Sequence, residues 1–163
     1  MIEEHISLSE PAFLPSFEGF YRASWHQIYR AVAISINDSD LGREAVDEAM
    51  VRAYERWRKV SVMANPEGWV FRVAMNWARS RLRRRKLQFR SGEPIGVFQI
   101  PDVADLKVVE AVRGLPGRQR DVVVARYLLD MSEADTAQAL GIPRGTVKSR
   151  LSRALSTLRE DLT

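Results

Sequence analysis

Cysteine is absent from the 163-residue chain. Its absence excludes disulfide bonds, thiolate zinc sites, iron–sulfur clusters and a cysteine nucleophile. Histidine is scarce, since only His5 and His26 occur, and we expect His26 to be a helix surface or packing residue. The sequence also has no glycine-rich phosphate loop and no nucleophile elbow. It therefore predicts that the chain is not an enzyme, and it indicates no cofactor.

Long apolar runs are missing as well. No segment approaches the roughly 20 apolar residues of a membrane helix, and the N-terminal stretch "MIEEHISLSEPAFLP" is acidic and unlike a signal peptide. We therefore expect no membrane insertion. Because the lack of cysteine fits a reducing compartment, we expect a cytoplasmic protein.

Positive charge is concentrated in one segment. Over the whole chain the excess is modest, with 25 lysines and arginines against 21 acidic residues, a net charge of +4 and a pI near 9.8. Residues 79–90, "RSRLRRRKLQFR", contain many basic residues and no acid. Such density can neutralise several phosphates and gives salt-dependent affinity, so this segment indicates a nucleic-acid partner.

The apolar residues recur with the helical period through most of the chain. The pattern predicts helices over 17–36, 41–58, Pro66 to about Lys86, 105–114, 116–130, 132–140 and 143–160. Residues 87–104 have two glycines, two prolines and no sustained period, which predicts a linker with at most a short extended piece at 96–100. The expected fold is all-α, with two small helical domains over 15–86 and 105–163, a flexible linker over 87–104 and a flexible N-terminus over 1–14.

The stretch "GIPRGTVKSRLSRAL", residues 141–155, predicts a helix-turn-helix. A tight Gly-Ile-Pro turn joins the short helix "SEADTAQAL" to a longer helix with two different faces. Its apolar face carries Val147, Leu151, Ala154, Leu155 and Leu158. Its polar face carries Gly145, Ser149, Ser152 and Arg153, with Lys148 and Arg150 at the margins. A helix of this kind fits the major groove of DNA.

Two features of the first half have more than one interpretation. Aromatic residues lie upstream of the basic segment and can either receive unstacked bases or pack in the core; we expect a core role for Trp69 and Phe71 and a functional one for Asn76 and Trp77. The second helix carries an acidic patch, formed by Glu44, Asp47 and Glu48, which is either a solvated face or a surface for a protein partner.

Two segments resemble the extracytoplasmic-function group of bacterial RNA polymerase sigma factors. "GREAVDEAMVRAYERWRKV…NPEGWVFRVAMNWARSRLRRRK" is similar to their region two, and "LPGRQRDVVVARYLLDMSEADTAQALGIPRGTVKSRLSRALSTLRE" is similar to region four. The resemblance implies binding to core RNA polymerase and to promoter DNA, melting of the minus-ten element, and possible control by an anti-sigma factor. It also implies that the linker threads through the polymerase toward the RNA exit channel.

The resemblance assigns three sets of residues. The residues assigned to polymerase binding are Glu44, Asp47, Glu48 and Arg52. The minus-ten element is assigned to Asn76, Arg79, Arg83 and Arg84, with Asn76 in a pocket for a flipped base. The minus-thirty-five element is assigned to Arg144, Thr146, Lys148, Ser149, Ser152 and Arg153.

The sequence departs from the family pattern at several positions. Asp47 stands where Gln is frequent, Met50 where Phe is frequent, and Asp135-Thr136 where Glu-Ile is usual. Thr136 thereby puts a hydroxyl where an apolar side chain normally packs.

Two other functions compete: a helix-turn-helix regulator that binds duplex DNA without polymerase, and a small helical nuclease. The acidic patch has no His or Cys companion, which argues against the nuclease.

Overall fold

The computed structural model describes residues 15–88 and 105–163. The helices are α1 Phe17–Ile36, α2 Ser39–Glu55, α3 Trp57–Val60, α4 Pro66–Gln88, α5 Leu106–Arg113, α6 Gly117–Val123, α7 Glu133–Leu140 and α8 Arg144–Leu162. A π-helical segment, Val124–Leu128, continues α6. Every regular element in these two ranges is helical, so the predicted all-α class is confirmed. The predicted N-terminal segment 1–14 and linker residues 89–104, including the extended piece at 96–100, lie outside the described residues.

Local sequence signals place most helix ends where the pattern predicts them. The Asn65 side chain accepts a hydrogen bond from the Gly68 N–H at 3.0 Å and caps α4, which begins at Pro66. That helix continues through Leu87 and Gln88, two residues that the sequence assigned to the linker. The predicted helix 41–58 is instead two helices, because the backbone at Arg56 leaves the helical region with φ −113° and ψ 23°.

Helix α1 is the centre of the molecule. Its residues from Ala31 to Ser35 are all buried, which a surface helix with one apolar stripe would not show. The N-terminal half packs α2 and α4 around it, while α5, α6 and the π-helical segment of the other half also contact it. One continuous apolar core therefore includes residues from both halves of the chain.

Helices α1 and α2 cross closely because Gly42 has no side chain. A Cβ atom at this position would lie 3.0 Å from the Cα of Ala33 and 3.1 Å from its nitrogen. Between the two helices, Asn37 adopts a left-handed conformation with φ 56°, and Asp38 caps α2 by accepting from the Leu41 N–H at 3.0 Å. The short connection and the missing Cβ together fix this crossing.

Polar contacts join the two halves at the C-terminal end of α1. Arg120 donates from Nη1 to the Ser35 carbonyl at 3.0 Å and from Nη2 to the Leu115 carbonyl at 2.9 Å. Arg113 donates to the Asn37 side chain at 2.7 Å. The last turn of α1 has no basic residue of its own, so these two arginines supply the cations that a helix C-terminus favours.

We expect Gly42→Ala to destabilise the protein. Overpacking against backbone atoms costs about 1–3 kcal/mol, which exceeds the ~0.5–1 kcal/mol that alanine gains over glycine inside a helix. Urea denaturation followed by circular dichroism should show a net loss of about 1 kcal/mol. Gly145→Ala is the matched control, because no atom lies within 4 Å of a Cβ there and a small gain is expected. A gain in both variants would contradict the close crossing.

Candidate nucleic-acid interface

The turn between α7 and α8 sets the angle between the two helices. Gly141 adopts the left-handed conformation with φ 65° and ψ 38°. Its N–H donates to the Gln138 carbonyl at 3.3 Å, and the Ile142 N–H donates to the Ala137 carbonyl at 3.0 Å. This pair of hydrogen bonds is a Schellman motif, and Ile142 packs in a small apolar cluster that contains Ala137. The chain is thus turned sharply before α8 begins.

Helix α8 buries one side and exposes the other, as predicted. Val147, Ala154 and Leu158 are buried, and Leu151 and Leu155 are half-buried. The predicted minus-thirty-five residues lie on the outer side: Arg144, Lys148, Ser149, Ser152 and Arg153 are exposed, and Thr146 is half-buried. The structure therefore brings these six residues together on one accessible surface, which we call the α8 surface.

Two side chains of the α8 surface already have weak partners within the chain. Lys148 Nζ lies 3.8 Å from Glu133 Oε1, beyond hydrogen-bond distance, and the lysine remains mostly exposed. The Ser149 hydroxyl donates to the Thr146 carbonyl at 3.2 Å, which leaves its oxygen able to accept. Such exposed contacts are worth little, so they do not prevent binding of a phosphate or a base edge.

Helix α7 packs against α8 through one side only. Ala137 is buried and Leu140 is half-buried against α8, whereas Ala134 is exposed because it lies on the outer side of the short helix. Thr136 is fully buried and its hydroxyl has no hydrogen-bond partner among the described residues. The hydroxyl that departs from the family pattern is therefore an energetic cost in the core.

The predicted minus-ten residues follow one side of α4. Asn76, Arg79 and Arg83 repeat at spacings of three and four residues, as does Arg72, so they share a face; Arg84 lies further round. Asn76, Arg83 and Arg84 are exposed and Arg79 is half-buried. We call Arg72, Asn76, Arg79 and Arg83 the α4 face.

Two of the aromatic residues upstream of the basic segment pack against the core. Phe71 is fully buried and Trp69 is half-buried against the core, which agrees with the expected core role. Trp77 also packs partly against the core, and the guanidinium of Arg81 lies 4.9 Å from the centre of its ring. This stacking holds Arg81 beside the α4 face.

Arg79 differs from the other α4 residues because it has a partner in the second half of the chain. Its Nη2 donates to Oδ2 of Asp121, on α6. Burial raises the pKa of the Asp121 carboxyl above its ordinary value, while Arg79, Arg120 and Arg150 act in the opposite direction. Sequence patterns contain no signal for this contact, since the two residues are far apart in the chain.

The acidic patch lies on the outer side of α2, and each of its carboxylates has an internal contact. Glu48 pairs with Arg52 at 3.2 Å, Asp47 accepts from Trp25 Nε1 at 2.8 Å, and Glu44 lies 3.9 Å from Arg81. Sequence reasoning missed two exposed apolar side chains on the same face, Val51 and Tyr54. Val51 lies seven residues after Glu44, and Tyr54 lies seven residues after Asp47. A spacing of two helical turns places them on the same face as the acidic residues, so the sequence did contain a signal for them.

Val51 and Tyr54 change the interpretation of this surface. Their exposed fractions are 55% and 66%, and a shallow groove beside Val51 extends along α2 to Trp69 and Val73 of α4. Exposed apolar groups surrounded by charges are typical of protein interfaces. We call Glu44, Asp47, Glu48, Val51, Arg52 and Tyr54 the α2 surface.

The described ranges contain no group of three or more His, Asp or Glu side chains placed to hold a metal ion. None of the helices in 15–88 or 105–163 combines the length and apolar character that a bilayer span requires.

The structure thus defines an all-helical protein whose second half contains a helix-turn-helix, an element typical of DNA-binding proteins. Residues 105–158 match the family described as Sigma-70, region 4. The chain is 33% identical to the RNA polymerase sigma-E factor of Streptomyces avermitilis, an alignment that covers 90% of this chain and 84% of the relative. It is 30% identical to the ECF RNA polymerase sigma factor SigM of Mycobacterium tuberculosis, covering 88% and 75%.

A solved structure has the same fold. The sigma factor RpoE, in its complex with the anti-sigma factor NepR from Bartonella quintana, superposes with a TM-score of 0.76 and 20% identity over 90% of this chain and 96% of that chain. Together with the sequence relatives, these similarities show that the chain belongs to the extracytoplasmic-function group of RNA polymerase sigma factors. It binds core RNA polymerase, directs it to promoters and helps to melt the DNA. The relatives give no support to a regulator that acts without polymerase.

Proposed function

We propose that the two halves of the chain divide promoter recognition between them. Residues 105–163 bind the minus-thirty-five duplex through the α8 surface, and residues 15–86 bind the polymerase and the melted minus-ten element. The observation that carries this proposal is the two-sided character of α8, which buries its apolar stripe and exposes every basic and hydroxyl residue assigned to DNA except the half-buried Thr146. Catalysis of RNA synthesis belongs to the polymerase.

The α8 surface suits the major groove. Residues near the N-terminus of a recognition helix reach base edges, so Arg144, Lys148 and Ser149 are placed for readout. Ser149 and Ser152 are short enough to allow close approach of the helix to the bases. Arg153 lies one turn further along, where it can hold a phosphate of the backbone.

The α4 face suits a single strand of DNA. The exposed side chain of Asn76 can hydrogen-bond to a base that has left the helical stack, and Arg79, Arg83 and Arg84 can bind the backbone on either side. The loop before α4 adds Met63 and Asn65 beside a cleft of about 420 Å³. Melted DNA offers bases that such a surface can receive.

The α2 surface is the proposed contact with core polymerase. Because its carboxylates repel DNA, the α2 surface does not attract nucleic acid away from the α4 face. It therefore stays available for a protein partner. Tyr54 and Val51 supply the apolar centre and the charged residues supply the rim. The protein would act in the cytoplasm, where the polymerase meets the chromosome, and an anti-sigma factor would restrain it, as NepR binds RpoE in the solved relative.

For the α8 surface, we expect Arg153→Ala to weaken binding of the polymerase complex to promoter DNA by about 1–3 kcal/mol if a base-edge contact is lost. If Arg153 contacts only a phosphate, the loss is uniform across sequences and the salt dependence falls by about one unit of slope. Filter binding over a salt series measures both. Arg159→Ala, an exposed arginine nearer the end of the same helix, is the control and should change neither. Equal behaviour of the two variants would reject the role of Arg153.

For the α4 face, we expect Asn76→Ala to impair DNA melting more than initial binding. The amide is proposed to hold a base that becomes available only when the strands separate, so its loss should leave the closed complex intact. Permanganate footprinting reports unpaired thymines, and gel shifts report total binding. Arg153→Ala should show the reverse pattern, with weak binding but normal melting in the complexes that form. Normal permanganate reactivity in Asn76→Ala would remove this residue from the site.

For the α2 surface, we expect Tyr54→Ala and Glu48→Lys each to reduce the affinity for core polymerase at least about tenfold. The first removes the apolar centre and the second reverses a charge at the rim. Tyr127→Ala and Glu160→Lys make the same chemical changes at exposed positions of the second half and should have little effect. Co-purification of all four variants with core enzyme at the wild-type level would show that the interface lies elsewhere.

A further inference from the structure

We propose that Glu133 is a positioning residue for Lys148 and that it sets the specificity, rather than the strength, of duplex recognition by the α8 surface. Its carboxylate disfavours contact between the lysine ammonium and the phosphate backbone and leaves the ammonium for a neutral acceptor on a base edge. This inference rests on the proposed minus-thirty-five role of the α8 surface.

The contact joins the start of α7 to the first half of α8. Glu133 is the first residue of α7, directly after the cap residue Ser132, and Lys148 lies in the second turn of α8. Glu133 Oε1 lies 3.8 Å from Lys148 Nζ. Among the ion pairs of the described ranges, this is the one that involves a residue assigned to the minus-thirty-five element.

The two charged groups are unequally buried. Glu133 Oε1 is enclosed and has no hydrogen-bond partner within 15–88 or 105–163, and the glutamate side chain is 26% exposed. The Lys148 side chain is 69% exposed. A buried carboxylate oxygen without a donor favours a cation close to it, and the lysine ammonium is that cation.

The contact is weak in the free chain and becomes stronger on DNA. At 3.8 Å it lies beyond hydrogen-bond distance and water reaches the ammonium, so it does not prevent Lys148 from binding DNA. A bound duplex excludes much of that water, and the same separation then carries a larger interaction energy. The carboxylate therefore acts on Lys148 mainly in the bound state, in which the lysine contacts its acceptor.

A lysine beside a carboxylate distinguishes between its two kinds of acceptor on DNA. The first helix of a helix-turn-helix crosses the DNA backbone, which places Glu133 near phosphates. The carboxylate repels a phosphate but not the neutral O6 and N7 of guanine or O4 of thymine. Lys148 therefore loses affinity for the backbone, which every sequence offers, and keeps its affinity for a base edge. The result is weaker binding to DNA in general and a greater preference for one sequence.

A purely local role of Glu133 leads to a different expectation. An acidic side chain in the first turn stabilises a helix through its dipole, and α7 has two such residues, Glu133 and Asp135. That role changes the free energy of unfolding but not the preference between DNA sequences. Asp135 is the matched residue, because it lies in the same turn and lines the cleft toward α4.

The test compares specific with non-specific binding by the complex of core polymerase and the full chain. Random-sequence duplexes are selected for binding, and filter binding then gives the affinities for the enriched sequence and for unselected DNA. We expect Glu133→Gln to bind unselected DNA at least about threefold more tightly, with a salt slope steeper by about one unit, because Lys148 gains a phosphate. The preference for the enriched sequence should fall about tenfold, as for a lost base contact.

Three variants serve as controls. Glu160→Gln removes the same charge about 18 Å further along α8 from Lys148, beyond the ~10 Å range of charge interactions in 0.1 M salt, and should not change the preference. Asp135→Asn should not change it either. Lys148→Met keeps the length of the side chain without its charge and should lower the preference, and adding Glu133→Gln to Lys148→Met should lower it no further.

Several results would overturn the proposal. These are an unchanged preference in Glu133→Gln, an equal loss in Asp135→Asn, or an effect of Glu133→Gln that persists in the Lys148→Met background. If Lys148→Met lowers the preference and Glu133→Gln does not, the assignment of Lys148 to DNA stands and this proposal alone fails. If Lys148→Met leaves the preference unchanged, that assignment is wrong and this proposal fails with it.

Discussion

The burial of α1 is the constraint on which the rest of the structure depends. A helical segment that is mostly apolar around its circumference must be covered on all sides, and the run from Ala31 to Ser35 is buried throughout. The N-terminal half covers one side with α2 and α4, and the C-terminal half covers the other. Because the second half completes this enclosure, its position is set by the first half even though most of the connecting segment, residues 89–104, lies outside the described residues.

The two surfaces that we propose to bind DNA differ in their contacts within the chain. The α8 surface faces outward, and its residues have only weak internal partners. The α4 face, in contrast, has one arginine committed to Asp121 and a loop that lies beside α7. The α2 surface is exposed except at Glu48 and Arg52, which are half-buried. In the described arrangement the α8 and α2 surfaces, which we propose to bind duplex DNA and polymerase, are therefore accessible, while the α4 face, which we propose to bind single-stranded DNA, is partly occupied.

Local patterns predict most of the secondary structure and much of the candidate site. The apolar stripe of α8, the glycine at position 141 and the Asn65-Pro66 start of α4 are short-range signals, and the structure confirms all three. The break at Arg56 and the π-helical segment 124–128 were not predicted, because the surrounding residues favour a continuous helix and tertiary packing decides otherwise. The pairing of Arg79 with Asp121 is a long-range contact between two charged residues, and a periodic pattern of apolar residues cannot reveal such a contact. One long-range feature did have a signal: the apolar stretch "AVAISI" is too evenly hydrophobic for a helix with a solvent face.

Separation of the two halves would have a local effect at the C-terminal end of α1, because two arginines of the second half bind there. In the described arrangement Arg120 binds the Ser35 carbonyl in the final turn of that helix, which has no cation of its own, and Arg113 binds the side chain of Asn37 directly after it. Moving the second half away would remove both guanidinium groups at once and leave the terminal carbonyls to water. The last turn of α1 would then fray, and its amide protons would exchange with solvent at a rate that follows the opening of the whole molecule. Hydrogen exchange at this one turn would therefore serve as an intrinsic gauge of how often the two halves part.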